Sequence, residues 1–504
     1  MLATSLPKSA ECEDANHSFH SPAEQTGTTA DIPLEEPLYA ARKKIYPQRV
    51  SGTFRRVKWI ILLATLGVYY LLPFVRWDRG PNAPDQAVLV DFPGRRFYFF
   101  FIELWPQEVY FFTGLLILAA MALFLMNAVA GRVWCGYLCP QTVWTDLFQS
   151  VERWIEGDRR EHILRERGPW TIERLTRAGL KHFLWIMIAW WTGGAWVLYF
   201  ADAPTLVRDL ATFEADPIAY VFIGILTITT YFLAGHLREQ VCLYMCPWPR
   251  IQAALIDEYA LNVTYRYDRG EPRGSTKKNQ ALRDKGLPAG DCIDCLQCVY
   301  VCPTGVDIRN GASLGCIQCG LCIDACDAVM AKVGRPPRLI AYDTDLNIQA
   351  RLSGKNSQYR IVRPRTALYT AVIAIVGAVM LYALATRTAE AINVIHDRNP
   401  LFVRMTDGGV RNAYTVRIVN KRLEQRRFSL SVTGLPGSII AVVGGAVGQD
   451  SHLVDVGPDQ TREVRVLLTD YSDSGLSSTP IVFRIRDVSS GERASAPDHF
   501  RGPS

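Results

Sequence analysis

Residues 292–302 read CIDCLQCVYVC, with Pro303 following, and residues 316–326 read CIQCGLCIDAC. Both runs have the spacing C-x2-C-x2-C-x3-C. In that arrangement three thiolates on one tight loop hold three irons of a cubane, and the fourth cysteine crosses to a second cluster. The spacing assigns Cys292, Cys295, Cys298 and Cys326 to one 4Fe-4S cluster, and Cys316, Cys319, Cys322 and Cys302 to another. Gly305, Gly315 and Gly320 suit loops that wrap closely around sulfide. The first run ends in Cys302-Pro303, whereas the second ends in Cys326-Asp327, which gives that end a different polarity. Four-cysteine zinc sites also use C-x2-C pairs, but two consecutive runs of this form favour iron.

Of the thirteen cysteines, Cys12 stands alone and the others all lie between Cys135 and Cys326. Such clustering speaks for metal ligation rather than a disulfide framework. The 504 residues are 49% hydrophobic and 21% charged, too apolar for one soluble protein and too charged for a wholly embedded one. The composition fits a mosaic of membrane spans and soluble modules. Five apolar runs qualify as spans: 59–75, 109–130, 183–200, 218–235 and 366–385. Each is about the length a helix needs to cross the hydrocarbon core. None holds an ionised side chain, and Trp59, Tyr110, Trp185, Tyr199 and Tyr220 mark their ends as interfacial aromatics do.

Basic residues crowd the segment before the first run and the 131–182 loop, while 76–108 and 201–217 are poorer in them. The positive-inside rule then puts the N-terminus, the 131–182 loop and the long 236–365 segment in the cytoplasm, and the C-terminal segment outside. The net charge of +6 is accordingly a topology signal, with no nucleic-acid partner expected. The expected layout is a disordered cytoplasmic tail (1–50), a membrane domain (51–247), a cytoplasmic ferredoxin-type domain (248–360), a fifth span (366–385) and a β domain (388–504). The tail is polar and lacks the apolar core of a signal peptide. In the β domain, alternating runs at 414–419, 428–432, 464–468 and 481–485 are separated by turn-forming stretches such as 435–438 and 457–460. This pattern predicts a small antiparallel sandwich, a docking or structural module without cysteine.

A second constellation is WCGYLCP at 134–140 and VCLYMCP at 241–247. The two match as C-x-Y-x-C-P, each just beyond a predicted span, like the ends of an internal repeat. A helix continued through the motif would put both its cysteines on one face, although the proline disfavours α geometry at Cys139 and Cys246. Thiolates suit soft ions such as Cu(I), and two pairs brought together would make a two- to four-sulfur site. Small buried residues at a helix end, or thiol exchange, are the plainer alternatives. His236 and Met245 stand near the second pair as candidate extra ligands, but a lone histidine at a helix end is more often structural. Glu103 and Glu108 border an aromatic stretch and read as an interfacial anchor rather than a quinone site. No P-loop, dinucleotide fingerprint, HExxH or nucleophile elbow is present, so NTP- or NAD-driven chemistry is unsupported.

The order of basic tail, WCGYLCPQT at 134–142, REQVCLYMCP at 238–247, twin ferredoxin runs, last span and β domain resembles the CcoG family, also called FixG or RdxA, from about residue 40 onward. That resemblance implies an accessory protein for assembly of the cbb3-type cytochrome c oxidase, in the bacterial inner membrane, that reduces Cu(II) to Cu(I). It implies two 4Fe-4S clusters on the eight ferredoxin cysteines, a copper-reducing role for Cys135, Cys139, Cys242 and Cys246, and an immunoglobulin-like periplasmic domain. The partners it implies are a cytoplasmic electron donor and either oxidase subunits or copper chaperones and transporters. A quinol-linked electron-transfer subunit and a non-catalytic assembly scaffold are the alternatives.

Overall fold

Four helices in the computed structural model are long and apolar enough to cross a membrane: Thr53–Phe74, Tyr110–Ala130, Pro217–Leu237 and Pro364–Ala385. They coincide, to within a residue at the ends of two, with four of the five runs read from the sequence. Large apolar side chains such as Leu63, Leu116, Ile225 and Val379 stand exposed on them. Hydrocarbon covers such a belt without the cost water would impose. Residues 183–197 of the remaining run lie on the Ile172–Val197 helix, which is not one of the four. Its first turns carry Glu173, Arg174, Arg177 and Lys181, and its apolar part packs along Pro217–Thr230.

The structure describes residues 44–80, 83–387, 390–422, 424–444, 451–471 and 477–502. Cys12 and residues 1–43 of the expected tail lie outside these. The last tail residues depart from the expectation of disorder: Gln48 N donates to Tyr300 O at 2.8 Å, and Arg49 N donates to Asp158 Oδ1 at 2.9 Å. Backbone polarity is satisfied there by neighbours far along the chain.

The ferredoxin part is closed by a two-stranded antiparallel sheet, Asn262–Tyr265 against Ile340–Asp343. Val263, Tyr265 and Ile340 from these strands are buried with Ile323 and Met330 around Cys292, Cys298 and Cys326. Its helix Leu321–Lys332 reaches the first membrane helix through Asp324, which accepts from Phe54 N at 3.2 Å and Arg55 N at 2.8 Å. A carboxylate thus caps a helix N-terminus from a remote segment, where the free N–H groups and helix dipole favour it.

Buried Asp146, on the Pro140–Glu156 helix, faces Arg55 at 2.8 Å, Lys58 at 3.8 Å and Arg153 at 3.9 Å. Burial works against ionisation of its carboxyl, but Lys58 and Arg55 outweigh burial and hold it below the ordinary range. Asp146→Asn is expected to leave buried cations uncompensated and to cost about 3–5 kcal/mol, measured by thermal unfolding in detergent. The stabilisation is present above the unfolded carboxyl's value of about 3.9 and is lost as acid takes the pH down through the lower folded value. The variant should therefore lose part of the wild-type drop in stability in that acidic window.

Beyond the Pro364–Ala385 helix, two antiparallel sheets face each other. One has the order Ile439–Val442, Gln460–Asp470, Val410–Asn420, Glu390–His396, with Val403–Arg404 also on the third of these. The other has the order His452–Val456, Arg426–Thr433, Ser478–Asp487, Arg493–Arg501. Inward alternation buries Tyr414, Val416, Ile418, Phe428, Leu430 and Phe483 in one core. A small sheet absent from the sequence reading, Val88–Asp91, Arg96–Phe99 and Ile102–Leu104, lies beside this sandwich. Glu108 is buried, with Lys421 Nζ at 2.7 Å, and Arg96 pairs with both Glu103 and Asp459. What these two glutamates anchor is the C-terminal domain.

Candidate metal centres

Each ferredoxin run folds into the same loop. Asp294 and Leu296 flank Cys295 with positive φ (54° and 58°), and Gln318 and Gly320 flank Cys319 in the same way (55° and 73°). Left-handed backbone on both sides of the middle cysteine curls the chain so that three sulfurs face one point, at a steric cost for the non-glycine residues. A helix starts directly afterwards, Gln297–Tyr300 in one run and Leu321–Lys332 in the other, with the third cysteine in its first turn. The fourth cysteine crosses over. Cys292, Cys295, Cys298 and Cys326 line one small cavity, and Cys302, Cys316, Cys319 and Cys322 line a second, which Cys298 also borders.

Burial pushes the thiols of Cys298, Cys316 and Cys326 up to about 12, and those of Cys319 and Cys322 upward as well. Such a pocket holds neutral thiols until a bound cation draws off their protons. Among the described residues no three cysteine sulfurs lie within 4.8 Å of one another. A tetrahedral zinc with Zn–S bonds of about 2.3 Å needs sulfurs about 3.8 Å apart. In a cubane each sulfur binds a different iron, so the sulfurs stand further apart. The donor set and its spacing fit a 4Fe-4S cluster and do not fit a mononuclear ion. Cys295 alone of these eight cysteines is exposed, so the first centre is open to solvent at that residue.

The two C-x-Y-x-C-P motifs meet beside this second centre. The first occupies the short helix Val133–Tyr137, the second a π turn, Val241–Met245. Each helix stops before its second cysteine: Cys139 (φ −61°, ψ 126°) and Cys246 (φ −81°, ψ 121°) are extended. This is what the following proline requires, so the two cysteines of a motif do not share one continuous helix face. Gln141 Nε2 ties the segments together by donating to Leu233 O at 2.8 Å and Arg238 O at 3.2 Å. The four thiols come close enough for their charges to act on one another. Burial raises Cys242 to about 12, with Cys139, Cys135 and Cys246 adding to it, and burial and Cys139 raise Cys135 to about 12.

Both motifs press on residues 314–321, the loop of the second centre. On one side Tyr137 Oη donates to Cys319 O at 2.9 Å, and Gly136 lies so close that a Cβ there would stand 2.7 Å from Ile317 O and 3.0 Å from Cys319 Cα. On the other side Leu243 packs on Gly315. Arg132 clamps the junction, donating to Leu314 O at 2.5 Å, Cys316 O at 3.0 Å and Pro249 O at 2.6 Å, while its own N–H donates to Gln318 Oε1. Cys135 Sγ donates to buried Gln252 at 3.2 Å.

A family of 4Fe-4S dicluster domains matches residues 237–345, and a family of 4Fe-4S binding domains matches 112–159. The family described as the IG-like fold at the C-terminus of FixG matches 380–503. Nitrogen fixation protein FixG of Rhizobium meliloti is 50% identical over 461 residues, covering 86% of this chain and 87% of its own. The chain belongs to the FixG/RdxA family. Protein RdxA of Cereibacter sphaeroides is 52% identical over 86% of this chain and 91% of its own, and RdxB of that organism is 48% identical over 92% and 97%. Within this family the chain is an iron–sulfur redox protein of electron transfer, with an Ig-like C-terminal domain.

The match at 112–159 contains only Cys135 and Cys139, so any cluster there would draw further ligands from elsewhere. His236 is not beside the cysteines' sulfurs as a third ligand; its ring lies among those of His182, Trp185, Tyr231 and Phe232. Met245 is exposed. One compact trio escaped the sequence reading, Glu152, Glu156 and His162, with ligand atoms within 4.8 Å. Lys181 at 2.8 Å from Glu156 and Arg238 at 2.9 Å from Glu152 already balance those carboxylates, which makes the trio an ion-pair network. Glu156 is accordingly held at about 2, His162 and Lys181 outweighing burial.

Proposed function

We propose that this chain reduces Cu(II) to Cu(I) in support of cbb3-type oxidase assembly, with the copper taken up by a pair of sulfurs from Cys135, Cys139, Cys242 and Cys246. The observation that carries this reading is the contact of both C-x-Y-x-C-P motifs with the loop of the second ferredoxin centre. In this reading Cys292, Cys295, Cys298 and Cys326 hold one cluster, and Cys302, Cys316, Cys319 and Cys322 the other. When bound, each cluster supplies single electrons, and Cu(II) reduction consumes one (Cu2+ + e− → Cu+). The chain's own residues select the product, because thiolates favour the softer cuprous ion. Five helices then cross the inner membrane, the 183–200 run included, with the ferredoxin part cytoplasmic and the Ig-like domain periplasmic. There the domain meets oxidase subunits or a copper carrier, while a donor on the cytoplasmic side supplies electrons.

Anaerobic protein reduced with dithionite should be reoxidised by Cu(II), with Cu(I) appearing in a chromogenic chelator. A variant with serine at Cys135, Cys139, Cys242 and Cys246 should keep the iron of both ferredoxin centres and lose this reaction. Unchanged copper reduction in that variant would sink the proposal. A second reading is favoured by the sulfur separations: the same four cysteines hold a third 4Fe-4S cluster, since no three of them approach as a three- or four-sulfur copper site requires. Iron analysis separates the two, at about eight irons per chain for the first and about twelve for the second.

A further inference from the structure

A cavity of about 770 Å³ opens between residues 47–59 and the Pro140–Glu156 helix. Its inner wall includes Val301, Pro303 and Leu321. These adjoin Cys302 on both sides and lie between Cys319 and Cys322, so a molecule in the cavity rests against the backbone of the second ferredoxin centre. On the rest of the wall arginines outnumber carboxylates. Arg49, Arg55, Arg56 and Arg153 line it, against Asp146 and Asp158. Arg55 is committed to Asp146, but the guanidiniums of Arg49 and Arg56 have no carboxylate partner among the described residues, and Arg153 stands 3.9 Å from Asp146.

Gln149 adds a hydrogen-bonding amide to the wall. It lines the cavity at 4% exposure, and its side-chain amide has no hydrogen-bond partner among the described residues. No protein group among the described residues satisfies that amide, and its polar atoms are open to the cavity, where water or a ligand is their partner. Trp154, 76% exposed, adds a ring face, whereas the Trp59 ring is covered by the Arg55 guanidinium at 4.7 Å.

We propose that this cavity is the electron-entry site of the chain and takes reduced flavin mononucleotide. Its volume is in the range of small-molecule and cofactor pockets. Guanidiniums recognise phosphate in their planar, forked geometry, and indole faces suit a flat ring system. The amide of Gln149 matches the donor and acceptor edge of the flavin's pyrimidine ring. Charge and redox chemistry narrow the class. A quinol is uncharged and gives the arginines nothing to bind, and a nicotinamide nucleotide gives up hydride, which an iron–sulfur cluster does not accept. A reduced flavin releases electrons one at a time, FMNH2 → FMN + 2e− + 2H+, and two electrons match two one-electron centres. The protons leave to solvent through the open side. The inference rests on the two-cluster reading above and is independent of copper.

The test uses the full-length, cluster-loaded protein in neutral phosphatidylcholine nanodiscs under anaerobic conditions. Quenching of FMN fluorescence should show saturable binding that Arg49→Gln together with Arg56→Gln weakens by roughly ten-fold or more, the loss expected for charge-assisted hydrogen bonds. Gln149→Leu should weaken it as well. Photoreduced FMN should bleach the cluster absorbance of the wild type rapidly and that of the arginine variant slowly, while dithionite bleaches both alike and their iron contents agree. Equal FMN affinity in wild type and variant, or no binding at all, overturns the proposal. So does loss of FMN binding when the discs contain phosphatidylglycerol, which would make the site one for anionic lipid headgroups. Bleaching by a short-chain quinol that the same substitutions slow would hand the cavity to quinol instead. Failure of any copper reaction leaves these binding readouts standing, so the two proposals fall separately.

Discussion

Cys322→Ser should strip the second ferredoxin centre, lowering iron by about four atoms per chain while sparing the first centre. The reason lies in the placing of this residue. Cys322 sits in the first turn of Leu321–Lys332 and lines the cavity shared with Cys302, Cys316 and Cys319, whereas Cys326 at the far end of the helix lines the other. Losing the centre does not stay local. Two residues on, Asp324 caps the Thr53–Leu71 helix, so a loosened Leu321–Lys332 helix releases the N–H groups of Phe54 and Arg55. The expected destabilisation is in the class above about 4 kcal/mol reserved for loss of a metal site. In thermal unfolding the membrane part should melt with the ferredoxin part and at a lower temperature than wild type. In anaerobic titration the remaining centre should still accept its electron, but Cu(II) should no longer take it. Retention of wild-type iron, or a membrane part that unfolds as before, would refute the coupling.

Much of this arrangement is legible in the sequence, and what is not has a common cause. The cysteine spacing C-x2-C-x2-C-x3-C carries its own geometry, because the loop that gathers three sulfurs is a local property of eleven residues and two such runs in tandem give each fourth cysteine its place in the other centre. The apolar runs and the alternation at 414–419, 428–432, 464–468 and 481–485 are equally local, and all four alternating runs lie inside strands. The strand Arg493–Arg501 has no such signal, since it lies at a sheet edge and reads RASAPDHFR, with only Phe500 buried. Asp324 and Arg55 are 269 residues apart, and Glu108 and Lys421 are 313 apart. Nothing in the neighbourhood of either partner announces such a pair. The same holds for Arg132, whose basic charge counted in the sequence only toward topology and whose guanidinium clamps Leu314, Cys316 and Pro249. The motif repeat C-x-Y-x-C-P gave two cysteine pairs; that they converge, and against which ferredoxin run, depends on packing between segments about a hundred residues apart.

One residue within that repeat did carry a readable asymmetry, and it leads to the second large expected effect. The motifs differ at the position after the first cysteine, Gly136 in one and Leu243 in the other. Gly136 faces backbone: a Cβ there would meet Ile317 O at 2.7 Å, Cys319 Cα at 3.0 Å and Cys319 N at 3.1 Å. Backbone cannot swing aside as a long side chain can, so the motif itself has to move. Leu243 faces the reverse situation, its side chain filling space left by Gly315. Gly136→Val should therefore lift Cys135 and Tyr137 from the loop that carries Cys319 and break the Tyr137-to-Cys319 hydrogen bond, at about 1–3 kcal/mol of overpacking. Iron content should stay at the wild-type value, since every ferredoxin cysteine is retained and the motif, not the loop of Cys319, is what yields. Reoxidation by Cu(II) should slow by roughly 100-fold, the scale on which about 1 Å of misplacement acts at a reacting centre. Gly136→Ala should fall between the two, and Leu243→Ala, which opens space, should lose stability with a much smaller loss of rate. Stopped-flow reoxidation with iron analysis on each variant gives both readings. Equal rates for Gly136→Val and wild type would show that the close approach of this motif to the second centre does not serve electron transfer.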